Sequence, residues 1–225
     1  MIYNDIDTLA LSIIHETSSS SSSGLSSYQI VIKDKVYLLQ HVLCSCNDIT
    51  NTLKDIGRFR YDVWKEVTNN DVCINNTYGD NIWLDELDFI INSSRNFMIK
   101  DINTNDIIAV ARMTYHTSFE DTTSRDLVIF KDYNIMNTDI IQSSCVDLGR
   151  LVVNKESRNS GIGQYLNKLR MSIARKLNAK YIVVTASNDN AIRLKKLGFY
   201  DINKIVYFDD RPTVPFHCLQ YQIIS

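Results

Sequence analysis

An α+β fold, a β-sheet flanked by α-helices, is the class this sequence predicts, and three features predict it. Short apolar runs rich in Ile and Val recur along the chain, several of them joined by brief polar turns, which is the pattern of paired strands. Two longer segments repeat apolar residues every three or four positions, the helical period. A strand–helix–strand succession from Cys145 to Thr185 then places both kinds of element side by side. With 225 residues, 44% of them hydrophobic and 22% charged, the chain is long enough for one sizeable core.

The elements follow in order. Residues 1–27 read as an N-terminal segment ending in a Ser-rich linker, since eight of the eleven residues from Thr17 to Ser27 are Ser. Ile2, Ile6, Leu9, Leu11, Ile13 and Ile14 before it suit a short helix or a strand, and the pattern does not choose. Residues 28–225 read as a single domain. Tyr28–Ile32 and Val36–Leu39 flank Lys33-Asp34-Lys35 as a hairpin. Ile49, Leu53, Ile56, Val63, Trp64 and Val67 give an amphipathic helix reaching toward Asn70, with Asn47 or Asp48 as its cap. Asn96–Lys100 and Ile107–Met113 form two antiparallel strands around the polar turn Asp101–Asp106. Strand Cys145–Val153, helix Gly161–Asn178 and strand Tyr181–Thr185 come next. Helix Asn190–Leu197 ends at Gly198-Phe199, and strands Lys204–Phe208 and His217–Ile224 close the chain.

Composition excludes several functions. Lys and Arg number 24 against 26 Asp and Glu, a formal net charge of −2 with no basic cluster, which argues against nucleic acid as a partner. The first Lys or Arg is Lys33, so a signal peptide is not expected, and no apolar run approaches the ~20 residues of a membrane span. The expected compartment is the cytoplasm. Five Cys without Cys-x-x-Cys and four scattered His (His15, His41, His116, His217) predict no metal.

The most informative stretch runs Val146-Asp147-Leu148-Gly149-Arg150-Leu151-Val152-Val153, then Asn154 to Ser157, then Arg158-Asn159-Ser160-Gly161-Ile162-Gly163-Gln164. It joins an apolar strand to a helix through a turn with Arg158-x-x-Gly161-x-Gly163 at the helix start. Glycines there admit a close ligand, while the first-turn N–H groups and the helix dipole favour an anion such as pyrophosphate. The dinucleotide fingerprint needs a third glycine that is missing, and no Gly-Lys-Ser/Thr follows as a P-loop requires. An ordinary tight turn is the plain alternative.

Strand, Arg-x-x-Gly-x-Gly, helix, strand and then Asn188-Asp189-Asn190-Ala191 to Leu197-Gly198-Phe199 resemble the GNAT superfamily of N-acyltransferases, from about Asn96 onward. The resemblance implies a mixed central sheet with two splayed parallel strands. It implies that Arg158, Asn159, Ser160, Gly161, Ile162, Gly163 and Gln164 hold the pyrophosphate of acetyl-CoA or another acyl-CoA. Leu151 and Val153 would offer backbone groups to the pantetheine, with Asn188 or Asn190 contacting it from the second strand. The Tyr that many members place in the short helix to protonate the departing thiolate is absent from Leu194-Lys195-Lys196-Leu197, and Tyr200 is the nearest substitute.

A second similarity, to acyl-homoserine lactone synthases and carrier-protein-dependent N-acyl amino acid synthases, lies in Arg58-x-x-Tyr61-x-x-Trp64, Asp85-x-x-Asp88, Arg112 and Asp147-x-x-Arg150. It implies substrate contacts for Arg58, Tyr61, Trp64 and Arg112, and catalytic roles for Asp147 and Arg150. Plainer readings stand beside these: Tyr61 and Trp64 as core, Asp85 and Asp88 as a helix-start pair, Arg112 as a partner for Asp147. Asp147 and Arg150, three apart on a strand, face opposite sides unless a bulge intervenes. Acyl transfer to a primary or amino-acid amine asks for a carboxylate near the acceptor, and Asp147 is the first choice. A long acyl chain on an acyl carrier protein, presented by its phosphopantetheine, would need a basic patch, for which Lys168, Arg170, Arg175, Lys176 and Lys195-Lys196 are candidates. An acyl-CoA-binding module without activity and a malonyl-thioester decarboxylase are the competing functions.

Overall fold

The computed structural model describes residues 2–18, 25–43, 51–67, 81–90, 93–118, 142–208 and 211–224. The helix caps expected at Asn47 or Asp48, most of the Ser-rich stretch, Cys44, Cys46 and Cys73 lie outside them. The chain forms two units, residues 1–112 with 150–173, and residues 113–149 with 174–225.

In the first unit, β1 (Ile2–Tyr3) runs parallel to β2 (Leu25–Ile32), which pairs antiparallel with β3 (Lys35–Leu43). β3 pairs antiparallel with β4 (Ser94–Asp101), and β5 (Ile107–His116, in this unit to Arg112) and the end of β6 (Cys145–Val153) follow in order. The sheet is therefore mixed. Strand β2 ends at Ile32 and β3 begins at Lys35, so the hairpin loop is only Lys33-Asp34. Both adopt positive φ, 47° and 63°, the twist-matched geometry of two-residue hairpins.

The N-terminal segment supplies both a strand and a helix. Asp5 accepts the Thr8 N–H at 2.7 Å and starts α1 (Ile6–Ser18), which buries Leu9, Ala10 and Ile13. Helix α2 (Asn51–Val67) buries Leu53, Ile56, Gly57, Arg60 and Val63 along one face. Leu53 and Ile56 join Val42, Ile82, Leu84, Met98 and Val110 in a core cluster.

In the second unit, β6 runs parallel to β7 (Tyr181–Ser187) from Cys145↔Tyr181 to Asp147↔Val183, while β7 and β8 (Tyr200–Phe208) each pair antiparallel with β9 (Arg211–Gln222). Cys145, Val183, Val206, Phe208, Phe216 and Cys218 form its core. Helix α4 (Asn188–Lys195) starts directly at the end of β7, two residues earlier than the sequence pattern suggests. It stops where Gly198 takes φ +95° and Phe199 N–H reaches back to Leu194 O at 3.2 Å, a glycine C-cap.

Helix α3 (Ile162–Lys176) follows the turn after β6, as expected. One expectation needs correcting: Arg170 is no member of a basic surface patch. It is 1% exposed and donates to Arg112 O at 2.6 Å, because it falls on the buried face with Leu166, Leu169 and Ile173. No helix among the described residues is long and apolar enough to cross a membrane.

Candidate active site

The first unit gathers an ion cluster from four segments. Residues 85–88 build its acidic centre: Asp85 caps the 3-10 turn Glu86–Phe89 by accepting Leu87 N–H at 3.0 Å, and Asp88 accepts Asp85 N–H at 2.9 Å. The helix-start reading of this pair is thus correct, yet their remaining oxygens carry more. Arg60 Nη1 donates to both oxygens of Asp88 at 2.9 Å, and its Nη2 donates to Asn96 Oδ1 at 2.9 Å, all buried. Arg112 donates to Asp85 and lies 3.6 Å from Asp88. Arg150 donates to Asp85 through Nε at 2.8 Å and also through Nη2.

Burial on its own would raise the Asp85 carboxyl pKa. The guanidinium groups of Arg112 and Arg150 outweigh it and hold the group far below the usual carboxylate range. Burial lowers the Arg60 pKa, with the Asp88 charge opposing. A pair this deep is costly to break, since a stranded buried charge costs about 3–5 kcal/mol. The cluster continues into aromatic surface: the Arg150 guanidinium sits 4.7 Å from the Trp83 ring centre, and Trp83 stacks on Trp64 at 5.5 Å and 13°.

Arg150 enters this cluster through its backbone. Its φ of +54° is in the left-handed region and breaks the strand alternation after Gly149. Asp147 is 1% exposed.

The turn after β6 forms as expected. Asn154 Oδ1 accepts Ser157 N–H at 3.0 Å, and Ser160 Oγ donates to Ser157 O at 2.6 Å. Asn159 and Gly161 take φ of +65° and +96°. The first intrahelical bond of α3 is Tyr165 N–H to Gly161 O, so the N–H groups of residues 162–164 precede it; that of Ile162 meets Ser160 Oγ at 3.4 Å. A Cβ built on Gly163 would meet only Val153 and Leu151 at ordinary contact, 3.7 and 3.8 Å. Packing among the described residues does not demand glycine there. Arg158 and Gln164 are exposed, and Ile162 is buried.

Of the other expected residues, Trp64 and Arg112 join the cluster. Arg58 is exposed and pairs with Asp55 at 3.2 Å, and half-buried Tyr61 lies under Lys65. Leu151 and Val153 are half-buried. Asn188 is exposed with its Oδ1 against His217 Nε2, and Asn190 is half-buried. Sequence reasoning missed Arg60, Trp83 and Asn96. Arg60 had a signal: it continues the apolar spacing Leu53, Ile56, Arg60, Val63, and a cation in that stripe requires a buried acid.

The model of the Acetyltransferase (GNAT) family matches residues 73–199. An acyl-CoA N-acyltransferase from Pseudomonas aeruginosa has a similar structure, with TM-score 0.53 and 15% identity over 81% of this chain and 97% of that one. The CoA-dependent acyl-homoserine lactone synthase BjaI, solved with SAM and isopentyl-CoA, has TM-score 0.58 and 9% identity over 82% of each chain. FeeM, an N-acyl amino acid synthase from uncultured soil microbes, has TM-score 0.53 and 8% identity over 83% and 90%. At such identities the likeness is one of fold. No curated protein matches the sequence.

Proposed function

The chain belongs to the acetyltransferase (GNAT) family, and from that premise we propose that it transfers an acyl group, acetyl in the first instance, from a CoA thioester to a primary amine by direct attack. The observation that carries this reading is the turn at residues 158–164. It presents early helix N–H groups beside a glycine whose missing side chain leaves room, and Arg158 stands exposed next to them. These features fit the pyrophosphate of CoA. Backbone groups of Leu151 and Val153 and the side chains of Asn188 or Asn190 hold the pantetheine in this reading.

An alkyl amine of pKa ~10 is mostly protonated at neutral pH, so the acceptor needs a carboxylate. Asp147 takes that proton, directly or through water. Arg150, held by Asp85 and laid on Trp83, forms an acceptor-side wall with Trp64 and Arg112. The thiolate leaves at modest cost because a thiol has pKa ~8.5, so the missing Tyr does not stop the reaction. Asp147→Asn is expected to lower turnover of a primary-amine pool by about 100-fold or more while CoA affinity stays unchanged. Unchanged turnover at saturating amine would remove Asp147 from the mechanism, and no turnover by the wild type would leave a donor-binding module.

A second reading, a carrier-protein donor with a long acyl chain, is favoured by one observation. Asp85, Asp88, Arg112 and Arg150, which carry the similarity to N-acyl amino acid synthases, form one cluster. Comparing acetyl-CoA, long-chain acyl-CoA and acyl carrier protein as donors separates the two.

A further inference from the structure

His217 on β9, which the chemistry above does not use, stands in a line of polar contacts within the second unit. Its Nδ1 lies 3.1 Å from Asp201 Oδ2, and its Nε2 meets Oδ1 of Asn188, the first residue of α4. Asp201, on β8, also receives Lys195 Nζ at 2.8 Å and, on its other oxygen, Asn203 N–H at 2.9 Å. The side chains of His217 and Asp201 are 19% and 14% exposed, so the contact between these two is partly shielded from water. Opposite His217 stand Ala186 of β7 and Ile205 of β8, neither of them charged. Its charged contact is Asp201 of β8, which in turn holds Lys195 of α4.

Burial would raise the Asp201 pKa, but the Lys195 and Asn203 hydrogen bonds prevail and hold it below the ordinary value. As an ionised carboxylate it only accepts, so His217 Nδ1 carries the hydrogen between them. The ring's other nitrogen then depends on charge. In the neutral ring Nε2 accepts, which requires Asn188 to turn its NH₂ toward it and its Oδ1 away. In the protonated ring Nε2–H donates to Oδ1, and the Asn188 NH₂ faces outward. The two ends of an amide are chemically opposite, so a ligand group that suits one rejects the other.

We propose that His217 is a positioning residue for the acyl donor, setting which end of the Asn188 side-chain amide faces the pantetheine arm. The proposal rests on the reading that Asn188 contacts that arm. Asp201 fixes the tautomer, and protonation of His217 turns the amide over.

The test is a calorimetric titration with coenzyme A from pH 5.5 to 8. The wild-type Kd is expected to change about tenfold across that range beyond what CoA itself contributes. His217→Phe and Asn188→Ala are expected to abolish the difference. Asp201→Ala removes the acceptor that keeps the hydrogen on Nδ1, so the neutral ring can also carry it on Nε2, and its Kd at pH 8 is expected to move toward the wild-type value at pH 5.5. A histidine that merely packs would not produce that shift. Ring-nitrogen NMR on the unaltered protein is the companion measurement: bound CoA must shift the His217 titration midpoint, by reciprocity of linkage. Identical pH profiles in wild type and His217→Phe, or a midpoint unmoved by bound CoA, would overturn the proposal. Absence of CoA binding by the wild type at every pH would overturn the donor reading instead, and this proposal with it.

Discussion

His41 is a fully buried imidazole on β3, tilted against Phe97 at 5.2 Å with Arg95 Nη1 3.5 Å from its Nε2. Burial first, and the Arg95 charge second, lower its pKa to about 3. An unfolded His titrates near 6.5, so between the two values the unfolded chain binds more protons than the folded one. The stability this group preserves is therefore complete above pH 6.5 and is lost as pH falls toward 3. Between pH 7.5 and 5 the loss amounts to about 2 kcal/mol, before carboxylates begin to titrate. His41→Phe is expected to flatten that part of the pH–stability curve in urea unfolding, and an unchanged slope would show that His41 is not buried neutral. At this scale the sequence was least legible. Arg58 and Arg60 look alike in the motif around Trp64, and only their angular position on α2 separates an exposed cation from one buried against Asp88. His41 gave no signal at all, because a buried imidazole in a strand has no spacing rule.

Helix α2 shows what one element must satisfy at once. It needs an apolar face, a buried cation and room for the segment at residues 82–84, which crosses close enough for Trp83 N–H to donate to Gly57 O at 2.9 Å. A Cβ on Gly57 would sit 2.6 Å from Ile82 Cγ2 and 2.9 Å from Leu84 Cγ. In an exposed helix interior Gly→Ala gains about 1 kcal/mol. Here Gly57→Ala is expected to cost about 1–3 kcal/mol, because the crossing chain must move. A higher Tm for this variant would contradict the packing described. Elements with strict periodicity were legible: the β2–β3 hairpin, β6 from Cys145 to Val153, and α3 within two residues at each end. The junction of β7 with α4 was harder, because Ser187-Asn188 ends one element and begins the next with no turn residue between. The N-terminal segment resisted a choice because it holds a strand and a helix in sequence.

For the whole molecule, a net charge of −2 over 225 residues supplies no overall field for an anion, so the proposed CoA site depends on local geometry. The first unit carries the turn at 158–164 and the Asp85–Arg112–Arg150 cluster; the second carries Asp147, Asn188 and His217. The turn was legible because glycines at a strand–helix junction are a backbone feature written in consecutive residues. The cluster was legible only in part, since it draws on α2, the 3-10 turn, β5 and β6, and Trp83 and Asn96 fall outside any local motif. The measurement that tests the account most directly is calorimetric titration of CoA into the wild type and Arg158→Glu. Saturable binding by the wild type that is lost in a folded Arg158→Glu protein is the predicted result. Equal CoA affinity in the two would reduce the turn to an ordinary helix start and contradict the account.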